Sequence, residues 1–363
     1  MDLKRLSLPV TIVPGADISN LLAPVGGRRQ ELPGFDADYV DIVDYIVRCT
    51  HRIWEGRNTG LINTHYTADC IVHTLAGPTQ SAATIIANTL ATLQAFPDRT
   101  LHADHVIWSD NGPLGFHSSH RITSHMTHLG LNEFGPPTGR RATVTTIADC
   151  AVRENRIYEE WLVRDNWSLA TQLGADPVRM ATDQAAQDTP DLPVVRWWSA
   201  ERDRVLSATG PRAETAIGNA PSAARKLADE VLGAWQERNL GALRDCYSPT
   251  VEYHGPAGRR LFGAGAVLGL ANNLLAAIPD AVLSIDHLAS LPFFDQGIDV
   301  AVRWSLAGTH TGPGLHGSPS GLPVYLLAVS HWRVIAGSIV DDVTIWDEIA
   351  LLRQLRQNPR LTR

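Results

Sequence analysis

The sequence predicts an α+β protein made of two copies of one domain, each with its helices first and a mostly antiparallel sheet of long strands after them. Two observations carry this: the chain repeats itself at an almost constant offset along most of each half, and within each copy the apolar period changes from helical to alternating.

The repeat comes first. At an offset of 181, Trp54-x-x-Arg57-Asn58-x-Gly60 falls on Trp235-x-x-Arg238-Asn239-x-Gly241, with Tyr66 on Tyr247 and His73 on His254. One residue is then gained. At 182, Pro97-Asp98 falls on Pro279-Asp280, Asp104-His105 on Asp286-His287, Arg121 on Arg303, His128-x-Gly130 on His310-x-Gly312, and Gly139 on Gly321. The register holds to the end, where Asp165, Leu169, Gln172 and Leu173 fall on Asp347, Leu351, Gln354 and Leu355. A period this long exceeds the roughly 20–50 residues of solenoid repeats, so each copy is a whole domain with its own core. The expected division is an N-terminal arm over 1–35, domain one over 36–176, a linker over 177–219, domain two over 220–357 and a tail over 358–363. The linker is marked by Pro177, Pro190, Pro193 and Pro211 around a possible short helix near Trp197 to Leu206, whose tryptophans are expected to dock on a domain surface. Duplicated domains present the same surface twice, so an intramolecular pseudo-dimer is expected.

In domain one, Val43, Ile46 or Val47, Thr50 and Ile53-Trp54 recur at helical spacing, and Leu227, Val231 and Trp235 repeat the pattern. Thr59 to Tyr66 reads as a short second helix, Cys70 to Thr74 as a strand and Ser81 to Phe96 as a third helix. From Thr100 to Trp108, Gly115 to Leu129, Arg140 to Val152 and Arg156 to Asp165 the chain is rich in Val, Ile, Thr and aromatics between turn signals, and reads as strands. Helices on one face of a strongly curved sheet leave a pocket open at one end.

Composition narrows the function. The 363 residues are 44% hydrophobic and 19% charged with a formal charge of −7 and no basic run, which argues against nucleic acid or an anionic membrane as partner. No convincing cleavage site and no long apolar stretch are present, so a cytoplasmic protein is expected. Cys49, Cys70, Cys150 and Cys246 lie far apart and read as buried thiols.

Along Glu159-Glu160-Trp161-Leu162-Val163-Arg164-Asp165, alternation puts Glu159, Trp161, Val163 and Asp165 on one face and Glu160, Leu162 and Arg164 on the other. A carboxylate ending an apolar row is desolvated and can exchange protons near neutral pH, which makes Asp165, and by repetition Asp347, candidate general acid/base residues. Either could instead cap the helical turn that follows it. His128 and His310, at the ends of the longest strands, could share a proton with the aspartate or could simply bond a turn backbone. His73 and His254, Trp161, Trp54 and Arg121 are the further candidates for contact with a substrate, with a structural ion pair to Asp104 as the alternative for Arg121. His117, His120, His125 and His128 crowd one strand, but with period two they split between its faces, so no metal site is expected.

Thr127-His128-x-Gly130, then Gly135-Pro136-Pro137-Thr138-Gly139-Arg140, then Asn155 to Trp161, Asp165 and Gln172-Leu173-Gly174 resemble the run carried by SnoaL-like polyketide cyclases of the nuclear transport factor 2-like superfamily. The second copy keeps Gly308-Thr309-His310-x-Gly312, Pro319-Ser320-Gly321, Asp347 and Gln354-Leu355. The resemblance covers nearly all of both domains. It implies two cones with the pocket inside, no cofactor, and Asp165 and Asp347 as acid/base residues of an intramolecular aldol ring closure. The reading adopted is a cofactor-independent cyclase or lyase on a small hydrophobic carbonyl compound, with His128 helping to hold the enolate. Domain two departs, with Val343 for Trp161, Leu322 for Arg140 and Arg356 for Gly174, so its site is expected to be altered or silent. The rival readings are a non-catalytic module that binds a small molecule or docks a partner, and a hydrolase of the epoxide hydrolase type on the same fold.

Overall fold

The computed structural model describes residues 10–207, 222–314 and 317–359. The linker's Pro211, the first nine residues and the last four of the tail lie outside the described residues. By contact the chain divides into a first unit, 1–73 with 79–162, and a second unit, 74–78 with 163–363. Residues 163–176, expected with the first repeat, thus belong to the second unit.

The first unit runs α1 (Ile18–Leu22), α2 (Ile42–Trp54), α3 (Ile62–His65), β1 (Tyr66–His73), β2 (Thr79–Gln80), α4 (Ala82–Ala95), β3 (Thr100–Asp110), β4 (Phe116–Thr127), β5 (Arg141–Arg153) and β6 (Arg156–Arg164). Asp41 caps α2 by accepting from the Asp44 N–H at 2.8 Å, and Ser81 caps α4 through the Thr84 N–H. The sheet order is β2-β1-β6-β5-β4-β3, antiparallel except for the parallel pair of β1 with β6. The expected second helix is short, because the chain is already extended at Tyr66 to pair with β6.

The described part of the arm, from residue 10 on, belongs to this core. Val13, Leu21, Leu32 and Phe35 are buried in one cluster with Val106, Phe116, Val152 and Ile157. Each such side chain contributes roughly 1.5–3 kcal/mol relative to exposure, enough to hold a segment with little regular structure of its own.

The second unit contains α5 (Asn166–Leu173), α6 (Pro177–Ala185), α7 (Pro193–Ser207), α8 (Ser222–Gln236), α9 (Leu240–Asp245), β7 (Tyr247–Gly255), β8 (Arg259–Phe262), α10 (Ala264–Ala277), β9 (Val282–Phe293), β10 (Gly297–Thr309), β11 (Pro323–Ile335), β12 (Ser338–Ile345) and α11 (Glu348–Leu355). Its sheet, β8-β7-β12-β11-β10-β9, repeats the first one strand for strand. Neither sheet closes into a barrel.

Helices on one face is too simple a description of this unit. α8 and α10 line one side of the sheet, and α7 packs on β9, β10 and β11 from the other. Trp197 meets Tyr325 edge to face at 5.3 Å, the Trp198 indole donates to the Leu75 carbonyl at 2.8 Å, and Arg204 bonds Asp286. Both faces of the sheet are therefore apolar in part. Among the described residues no helix is long and apolar enough to cross a membrane, and all four cysteines are buried and free.

Candidate functional site

The residues expected at the site are mostly engaged elsewhere. Asp165 is the N-cap of α5 and is 5% exposed. It accepts from the Ser168 N–H at 3.1 Å, and its two oxygens accept from Ala257 and Gly258 N–H at 2.8 Å each. Ala257 and Gly258 have φ of 60° and 67°, a left-handed pair that turns successive N–H groups toward one anion. Burial raises the Asp165 pKa and the three backbone bonds oppose it. Asp347 caps α11, accepting from Ile349 and Ala350 N–H, and also takes a hydrogen bond from the Asn166 side chain. Neither aspartate lines the second unit's cavity. The capping alternative describes their contacts.

His128 and His310 close the loops after β4 and β10. His128 exchanges backbone bonds with Arg140 and Gly139 and its Nδ1 lies 3.3 Å from the Thr138 hydroxyl. His310 does the same with Leu322 and Gly321, and the Ser320 N–H donates to its Nδ1. The turn-bonding alternative describes both. Trp161 stacks against His73 at 5.3 Å and His117 at 5.7 Å, and His73 bonds Glu159. By strand alternation these groups stand on the face opposite Glu160. His254 is half-buried on β7 opposite Val343, Arg121 pairs in register with His105 on β3, and Trp54 lies under the Arg99 guanidinium at 4.4 Å. The histidines of β4 do not converge within the unit: His117 meets Asp149, His125 meets Thr143, and burial drives His120 down to about 3, keeping it neutral.

What the structure does assemble is a cavity in the second unit. Four indoles wall it, those of Trp235, Trp304, Trp332 and Trp346, with Tyr247 and Tyr253 beside them. Helices α8 and α10 complete it with Val231, Leu270 and Leu274. The space open to the centre of a water-sized sphere is about 60 Å³, and a single water needs about 10–15 Å³ on that measure, so a handful of heavy atoms fits without movement of the walls.

One carboxylate lines this chamber. Asp342, 1% exposed, sits opposite Tyr253 in the parallel pairing of β7 with β12. Tyr247 donates to its Oδ2 at 2.9 Å and Thr344 to its Oδ1 at 2.6 Å. Behind Thr344, the Ser330 hydroxyl lies at 2.7 Å and itself accepts from the Trp304 indole at 3.0 Å. An indole can only donate, so the chain of hydroxyls is polarised toward Asp342. Burial pushes the Asp342 pKa up to about 7, against the pull of Thr344 and Tyr247. The Trp346 indole N–H is buried without an acceptor.

The first unit holds the counterpart. Tyr66 donates to Glu160 at 3.1 Å, and burial pushes the Glu160 pKa up to about 7. At the repeat offset, Ala148, Leu162 and Ile122 stand where the second unit has Ser330, Thr344 and Trp304, so the hydroxyl chain has no equivalent there. Glu160 and Asp342 lie on the face opposite the apolar row of their strand, so a search for a carboxylate ending an apolar row does not find them. The repeat that matches Tyr66 to Tyr247 at 181 matches Glu160 to Asp342 at 182, and that recurrence is the available signal.

A family model described as SnoaL-like polyketide cyclase matches residues 45–173 and again 225–355. No curated protein gives a significant match. Similar solved structures include AclR from Streptomyces galilaeus (23% identity, 37% of this chain and 85% of that one, TM-score 0.32) and IdmH from Streptomyces antibioticus (24%, 36% and 96%, 0.31). TsrD from Streptomyces laurentii is a third (21%, 37% and 95%, 0.32).

Proposed function

The chain belongs to the SnoaL-like polyketide cyclase family over both of its repeats, and from that premise we propose that the second unit's cavity performs acid/base chemistry of the cyclase or isomerase type on a small hydrophobic carbonyl compound. Asp342 is the acid/base residue in this reading, in place of Asp165 and Asp347, whose oxygens are held by backbone N–H groups.

The observation that supports it is a buried carboxylate with a pKa near 7 on the wall of an apolar chamber. At that pKa both protonation states are populated at neutral pH, which suits a group that must take a proton and return it. The ionised Asp342 removes a proton from the carbon α to the carbonyl, and the C–H electron pair becomes the enolate. The Trp346 N–H, which has no acceptor in the protein, supplies a hydrogen bond for the oxyanion. The enolate then recovers a proton at another carbon, which is isomerisation, or attacks a second carbonyl. In the second case a C–C bond forms and the new alkoxide takes the proton from Asp342, which is ring closure.

A substrate need not be known to test this. Nitroethane is a small carbon acid whose C–H exchange in D2O is followed by proton NMR. Exchange accelerated by the protein and reduced at least ~100-fold in Asp342→Asn is expected. Equal acceleration by the wild type and the variant would remove Asp342 as the base.

A further inference from the structure

Among the described residues lining the second unit's cavity there is no Lys, Arg or His. Asp342 is held by two hydroxyls, which satisfy its oxygens without neutralising its charge. The groups beside it that can titrate are Tyr247, Tyr253 and Asp341, and none of them is cationic. An ionised carboxylate in an apolar chamber without a counter-charge is costly, and its raised pKa reflects that cost.

The walls are of a kind that attracts a cation. Trp235 and Trp304 have ring centroids 6.2 Å apart at 45°, and Trp304 and Trp346 lie 6.3 Å apart at 73°. Neither pair is stacked face to face. An indole face is the most attractive aromatic surface for an alkylammonium group.

We infer that the substrate of this cavity brings its own positive charge: a carbonyl compound bearing a compact alkylammonium group, which rests among the indoles beside Asp342. This rests on the acid/base reading of the site and names its substrate class. With such a substrate the reactants, a cation and a carboxylate, sum to zero. Proton transfer from the carbon between the ammonium and carbonyl groups gives a neutral carboxylic acid and an enolate paired with the ammonium on the same molecule. The chamber never holds a net charge, and no co-reactant is required. A neutral ketone would leave one negative charge unbalanced before and after the same step.

The test compares two ketones of the same shape, (2-oxopropyl)trimethylammonium and 4,4-dimethylpentan-2-one, which differ in a quaternary nitrogen replacing a carbon. Binding to the full chain is measured by titration calorimetry. The cation is expected to bind about tenfold or more tightly than the neutral isostere, with the preference lost in Asp342→Asn and reduced severalfold in Trp235→Leu. Melting curves of both variants show whether the fold is kept. Equal or tighter binding of the neutral ketone, or a preference that survives in a folded Asp342→Asn protein, overturns the inference. If nitroethane exchange still depends on Asp342 in that event, the acid/base reading stands and only the substrate class falls. If the cation preference holds but nitroethane exchange does not depend on Asp342, the proposed reaction is overturned and with it the role given to the substrate's charge.

Discussion

The Tyr247 hydroxyl donates to Asp342 Oδ2 at 2.9 Å and the Thr344 hydroxyl to Oδ1 at 2.6 Å, on the wall of a chamber lined by aromatic and aliphatic side chains. The bond favours the ionised form, and burial disfavours it more strongly, leaving the pKa near 7. Base activity therefore has a definite pH dependence. Nitroethane exchange should rise about tenfold per pH unit below 7 and level off above it as Asp342 loses its proton. A rate that is flat from pH about 5 to 9 would mean that another group is responsible.

Thr344→Val removes the donor to Oδ1 and breaks the polarised chain from Trp304 through Ser330. The charged form of Asp342 loses a partner, so the midpoint of the exchange profile should move to higher pH, with the plateau rate kept. A Thr344→Ser protein retains the hydroxyl and should restore the original midpoint. An unchanged midpoint in Thr344→Val would show that the hydroxyl does not govern the base.

Stability should depend on pH in the same window. The folded-state pKa of Asp342 and of Glu160 is raised, so the folded protein keeps protons that the unfolded chain releases, and stability falls as pH rises from about 4 to about 7. Asp342→Asn cannot release that proton. Its melting temperature at pH about 8 should equal or exceed that of the wild type, and its denaturation midpoint should vary less between pH 4 and 7. A variant that is markedly less stable at high pH would contradict this assignment of the cost.

Substitution of Asp165 should act on stability and not on exchange. Its oxygens receive the Ala257 and Gly258 N–H groups, and Asn offers a single acceptor oxygen and sets an amide N–H against one of those donors. Asp165→Asn and Asp165→Ala should each lose about 1–3 kcal/mol in chemical denaturation, with nitroethane exchange unchanged in the folded protein. A stable Asp165→Asn protein without exchange would return the acid/base role to this residue.

His310→Ala should loosen the loop between β10 and β11, where the ring accepts from the Ser320 N–H at 3.2 Å. A loss of about 1 kcal/mol is expected, with the pH profile of exchange unmoved. A shift of that profile would place His310 in the proton-transfer machinery.

The sequence by itself determined the duplication, the order of helices and strands in each copy and the family. These rest on the spacing of Trp54, Tyr66, His128 and Asp165 against their partners one period on, and on apolar periodicity, which reads local geometry directly. It also showed that Glu160 and Trp161 point to opposite faces. Which face lines the cavity was decided only in three dimensions. In the second unit the row with Val343 and Ile345 is apolar because it too is buried, although it faces away from the chamber, and the row with Asp342 and Thr344 lines it. Alternation fixes relative facing and is blind to what packs on each side. The engagement of Asp165 was hidden for the same reason: its partners, Ala257 and Gly258, lie 92 and 93 residues further on, at N–H groups that every residue type but proline carries. A backbone donor leaves no mark in a sequence, so only the tertiary structure could show which aspartate is held and which stands in the cavity.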